Sequence, residues 1–110
     1  MAIKVDRRRL CAVAAVAFAA LSQRARAADA SVRIDNFTFT PATLNVKPGA
    51  VVSWTNEDDI PHSIVAADGK FHSPALDTGN AFSFTLTEPG AYAYYCGLHP
   101  HMKGTIIVAL

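Results

Sequence analysis

The sequence predicts an all-β fold, a small antiparallel sandwich, and three observations predict it. The clearest is strict alternation over Ala81 to Thr87, where Phe82, Phe84 and Leu86 share one face and Ser83, Thr85 and Thr87 the other. That period of two marks a half-buried strand. The second is punctuation: Lys47-Pro48-Gly49 and Glu88-Pro89-Gly90 each combine a residue that presets φ with one free to take positive φ. The third is that no convincing helix interrupts the β-type runs of residues 28–110. Seven or eight short strands at such intervals make a sandwich.

Ser31 to Thr40 opens the series with Val32, Ile34, Phe37 and Phe39. Its alternation slips by one between Ile34 and Phe37, which predicts a bulge or bend near Asp35-Asn36. Pro41 closes it, and Leu44 to Val46 leads into the first Pro-Gly turn. Val51 to Asn56 follows, with Val52 and Trp54 on one face; Glu57 to Pro61 reads as an acidic, solvated loop. His62 to Ala66 is β-branched at Ile64 and Val65 and reads as a strand, with a shorter one expected at Phe71 to Ser73. Ser73 to Asn80 is a loop. Beyond the alternating strand and the second turn, Ala91 to Cys96 is an aromatic strand and Thr105 to Leu110 a β-branched one.

The 110 residues are 51% hydrophobic and carry a net charge of +1, figures that suit one small domain. Six of the ten cations precede residue 28. Lys4 and Arg7 to Arg9, the apolar run Leu10 to Leu21 and Ala25-Arg26-Ala27 together have the pattern of a secretory signal peptide over 1–27. The run is too short to span a bilayer, which takes roughly 20 apolar residues. Residues 28–110 are therefore expected to be the working domain, exported to the periplasm by a Sec or twin-arginine route. That part has four cations against eight acids, a net of −4. Nucleic acid, which is bound by neutralising phosphates with Lys and Arg, is an unsuitable partner. With Cys11 in the leader, Cys96 is the sole cysteine of the domain, so no internal disulfide staples it. A lone thiol in an oxidising compartment needs a reason, and metal ligation is one.

The reason lies in Cys96-Gly97-Leu98-His99-Pro100-His101-Met102. A thiol, an imidazole and a thioether recur at three-residue steps in one short loop. Two His, one Cys and a weak Met form the ligand set of a type 1 copper site. The loop supplies all but one imidazole, and His62 is the best candidate for it. The expected metal ligands are thus His62, Cys96, His99 and Met102, with one copper ion as cofactor. His72 and His101 have suitable chemistry but no positional support; His101 should face solvent and His72 should pack or hydrogen-bond. Asp58 and Asp59 read most simply as part of the solvated loop.

Together with Val52-Ser53-Trp54-Thr55-Asn56, Pro61-His62 and Tyr92 to Cys96, this loop and the two Pro-Gly turns resemble the cupredoxins, most nearly their amicyanin and pseudoazurin-like members. The resemblance implies a Greek-key sandwich and a one-electron Cu(II)/Cu(I) carrier working between redox proteins, such as a periplasmic dehydrogenase and a c-type cytochrome. It also implies His62, Cys96 and His99 as strong ligands, Met102 as the weak axial one, and the Ser63 amide pointing at the Cys96 sulfur. Asn56 matches an asparagine that ties the two ligand-bearing loops together in that family. Leu98 stands where the amicyanins have proline; its N–H is expected to donate a second hydrogen bond to the thiolate and raise the reduction potential.

The same ligands would serve a periplasmic copper chaperone or buffer, which is the alternative reading. An enzyme is not expected: a Cys-His pair without an orienting acid or oxyanion hole lacks the rest of a nucleophilic site. Structural zinc sites are closed by Cys and His without Met. The carrier is expected to act as a monomer with no membrane span once the leader is removed.

Overall fold

A computed structural model describes residues 28–110, so the expected leader over 1–27 lies outside the described residues. Eight strands follow in order: β1 (Ala30–Asp35), β2 (Thr38–Thr40), β3 (Thr43–Val46), β4 (Ala50–Asn56), β5 (Val65–Ala66), β6 (Ala81–Leu86), β7 (Gly90–Tyr95) and β8 (Lys103–Val108). They form two four-stranded sheets, β2-β1-β4-β6 and β3-β8-β7-β5, and the described residues contain no helix. The expected all-β sandwich is present, but its sheets are mixed. β1 runs parallel to β4 and β3 parallel to β8, while the other four pairings are antiparallel. Alternation reports which face of a strand is buried and carries no information about the direction of its neighbour.

The inner faces interdigitate as the alternation requires. Val32 and Ile34 of β1, Val52 and Trp54 of β4, Tyr92 and Tyr94 of β7, and Ile106 and Val108 of β8 are all buried. Trp54 meets Tyr94 edge-on at 5.5 Å between ring centroids, and Phe39 meets Tyr94 at 4.8 Å. Such edge-to-face pairs each add about 0.5–1.5 kcal/mol to the area they bury. Gly104 makes room for this packing: a Cβ there would overlap the Tyr94 ring.

Two expected elements take a different form. The slip in Ser31 to Thr40 is a two-residue hairpin turn, with Asp35 paired to Thr38 and positive φ at Asn36 (52°) and Phe37 (57°). Both turn residues are left-handed, the geometry that matches strand twist. Asn tolerates that region, whereas a bulky Phe does so at a cost. The expected strand His62 to Ala66 is regular only at β5. The rest pairs irregularly with the following segment: His62 and Leu76 exchange backbone hydrogen bonds at 3.1 and 2.7 Å, and the Ile64 N–H donates to Ser73 Oγ at 2.9 Å. The expected strand at Phe71 to Ser73 is reduced to a single bridge at His72.

Candidate metal centre

One end of the sandwich collects the donors. Cys96 follows β7 directly, and β7 and β8 are adjacent antiparallel strands with Tyr95 opposite Lys103. The seven-residue loop between them closes on itself. Cys96 N–H donates to Met102 O at 3.1 Å, His99 N–H to Cys96 O at 3.2 Å and Met102 N–H to His99 O at 2.9 Å. The loop is therefore pinned at both ends and braced within. Cys96 and Met102 are buried, His99 is half-buried, and Leu98 and Pro100 are exposed.

His62 reaches this loop from the far side of the chain. Its ring is wholly buried. Its Nδ1 lies 3.6 Å from Cys96 Sγ, and His99 Nδ1 lies 3.7 Å from the same sulfur. One donor atom from each of the three residues falls within 4.8 Å of the others. Bonds of roughly 2.0–2.3 Å from one ion to nitrogen and sulfur require such spacing. Met102 is buried, and its backbone is tied to Cys96 and His99. His72 and His101 stay outside it; both are exposed, so the expectation that His72 packs or hydrogen-bonds is corrected. In a tight turn-and-bridge segment between buried Phe71 and buried Ser73, the intervening side chain is directed outward.

Three details differ from what the residues suggested. Asn56 is wholly buried, but it braces the 57–61 loop: its Nδ2 donates to Ile60 O and Leu76 O, both at 2.9 Å, and its Oδ1 accepts Asp58 N–H at 2.8 Å. The cross-link between the ligand segments is Ser63. Its N–H points at Cys96 Sγ (3.4 Å) as expected, and its Oγ accepts Gly97 N–H (3.0 Å). The Leu98 N–H makes no hydrogen bond to the sulfur among the described residues, so the expected second donor and the higher potential argued from it fall away.

The third detail is Asp58, which is no solvated bystander. Its Oδ2 lies 2.9 Å from His62 Nε2 and accepts the Phe37 N–H at 3.0 Å. These hydrogen bonds, the His62 one foremost, hold its carboxyl below the usual carboxylate range. The Phe37 ring in turn stands edge-on to both imidazoles, 5.7 Å from His62 and 5.1 Å from His99. Sequence reasoning missed Asp58, Phe37 and the Ser63 hydroxyl; the one available signal was an acid four positions before a candidate ligand.

Residues 9–108 match the family described as the cupredoxin-like domain. The chain belongs to the cupredoxins. Amicyanin-alpha of Methylorubrum extorquens is 34% identical to it, over 88% of this chain and 87% of that protein. A purple cupredoxin from Nitrosopumilus maritimus superposes with a TM-score of 0.69 at 36% identity, covering 74% of this chain and all of the other. An amicyanin variant solved in a reduced Cu(I) form gives a TM-score of 0.69 at 33% identity, over 77% of this chain and 88% of that one. The donor chemistry of this cupredoxin fits copper: a buried thiol between two imidazole nitrogens, with a thioether at hand, favours a soft ion.

Proposed function

We propose that this cupredoxin is a periplasmic electron carrier in which His62, Cys96, His99 and Met102 hold one type 1 copper ion. The observation that carries the reading is the buried Cys96 sulfur with an imidazole Nδ1 at 3.6 and 3.7 Å on either side. The bound ion supplies the one-electron Cu(II)/Cu(I) couple. The protein supplies a cage that barely changes shape, because ligands on braced elements keep one geometry in both oxidation states. His62 is fixed by backbone bonds to Leu76, and Cys96 and His99 by the turn of their own loop.

Exchange of electrons needs close approach to a partner. His99 is the half-buried ligand, and Phe37 (45% exposed) and Leu98 (52% exposed) flank it with Pro100. Such a small apolar patch suits the brief encounters of redox pairs, which lie at the small end of interface sizes. The partners in this reading are a periplasmic dehydrogenase as donor and a c-type cytochrome as acceptor. The leader pattern of 1–27 supports the location, with 28–110 as the exported copper domain.

Titrating the purified, reduced protein with Cu(II) tests the assignment. An intense visible charge-transfer band, a narrow copper hyperfine splitting in EPR and reversible one-electron electrochemistry with fast self-exchange are expected. A folded protein that stays colourless would overturn the ligand set. Rapid transfer of copper to an apo acceptor, without reversible electrochemistry, would replace the electron carrier with a copper chaperone.

A further inference from the structure

An imidazole that ligates through one nitrogen must keep its proton on the other, and the partner of that second nitrogen fixes the ring. His62 turns Nδ1 towards Cys96 Sγ and Nε2 towards Asp58 Oδ2. An ionised carboxylate only accepts, so the proton of a neutral His62 sits on Nε2. Asp58 is itself held from two directions. Its N–H donates to Oδ1 of buried Asn56 at 2.8 Å, and its carbonyl accepts the Thr78 hydroxyl at 2.6 Å. The same Oδ2 also receives the Phe37 N–H, which supports the left-handed turn that sets the Phe37 ring against His62 and His99. One carboxylate oxygen thus serves a metal ligand and the aromatic cover over it.

We propose that Asp58 is the positioning residue of this site: it holds His62 in the Nε2–H tautomer and, as a hydrogen-bonded anion behind the ligand, favours the cupric over the cuprous state. A carboxylate bonded to the far nitrogen makes the ring a stronger donor, which benefits the more highly charged ion. The proposal rests on the copper reading above for its redox part. Its tautomer part concerns the copper-free protein alone, so the two fail separately.

The test uses the whole mature protein with Asp58→Asn, which keeps an acceptor and removes the charge, and Asp58→Ala, which removes both. In the copper-free wild type, two-bond nitrogen–proton correlation spectra should show His62 as the Nε2–H tautomer; Asp58→Ala should give a tautomer mixture, whereas Asp58→Asn should keep the wild-type pattern. In the copper-loaded variants, Cu(II) affinity should fall by about 10–100-fold with a smaller change for Cu(I). Each tenfold difference between the two raises the potential by about 59 mV. Phe37→Gly, which removes the ring at a position glycine accepts, should leave the tautomer unchanged. An Nδ1–H ring in the wild type overturns the proposal. So does an unchanged potential in both Asp58 variants, or equal losses of Cu(II) and Cu(I) affinity.

Discussion

His62 and His99 offer the same nitrogen to the same sulfur, yet they are held by opposite means. His62 stands 34 residues from Cys96, is wholly buried, and is held by the distant Leu76 through its backbone and by Asp58, four residues before it, through its ring. His99 stands three residues from Cys96, is half-buried, and depends on a local turn that the loop makes with itself. The difference separates two tasks. In the proposed function, the buried imidazole goes with the residues that set the energy of the ion, and the outer one with those that meet a partner.

The sharpest way to break the comparison is to delete each ring in turn. His62→Gly should abolish the charge-transfer band, and added imidazole should not restore it, because the vacated space is closed from solvent. His99→Gly should recover the band with added imidazole, since its place opens at the surface beside Leu98. Visible titrations read both outcomes, and equal rescue would erase the distinction. Next in size is Asn56→Ala. It strips two hydrogen bonds from the 57–61 loop and one from Leu76 O, and should cost about 3 kcal/mol of stability in denaturant unfolding, at roughly 1 kcal/mol per bond.

Two glycines allow the same added methyl to be tried in two regions. Gly104→Ala drives into the Tyr94 ring inside the sandwich and should cost about 1–3 kcal/mol, the usual price of overpacking. Gly97→Ala places its Cβ 2.8 Å from Ser63 Oγ, so it should disturb the absorption band and copper affinity more than the unfolding midpoint. Unfolding curves beside copper titrations separate the two. The smallest effect expected is that of Ser63→Ala, about 1 kcal/mol for the lost Gly97 N–H acceptor, with the Ser63 amide still facing the sulfur. Its check is an unfolding midpoint lowered slightly, with the charge-transfer band still present.

Much of the frame was legible because it is written locally. The alternation in β4 and β6 and the turn at Pro48-Gly49 stand where the residues placed them, whereas Gly90 of the second Pro-Gly pair is already the first residue of β7, paired with Val108. The Asn36-Phe37 turn was legible only as a slip in register, because glycine usually marks such a turn and here a hydrogen bond from residue 58 supports a phenylalanine instead. Asp58 looked like one acid among three in a loop; its role depends on a ring and an amide that folding brings to it. The parallel pairings of β1 with β4 and β3 with β8 were equally hidden, since a strand pattern reads the same in either direction.

By itself the sequence determined the kinds of donor atom, the short loop that carries three of them and the period-two strands that flank it. These are properties of side chains and their immediate neighbours, set by chemistry and by the pleat. Only the tertiary structure decided how His62, already the candidate, meets the loop: which of its nitrogens faces the sulfur, and that the carboxylate four residues before it stands behind the ring. The first depends on closing the chain across 34 residues, where two sheets pack and a contact forms only if everything between its ends folds as well; the second depends on the path of a loop that bonds with Phe37, Asn56 and Thr78 hold.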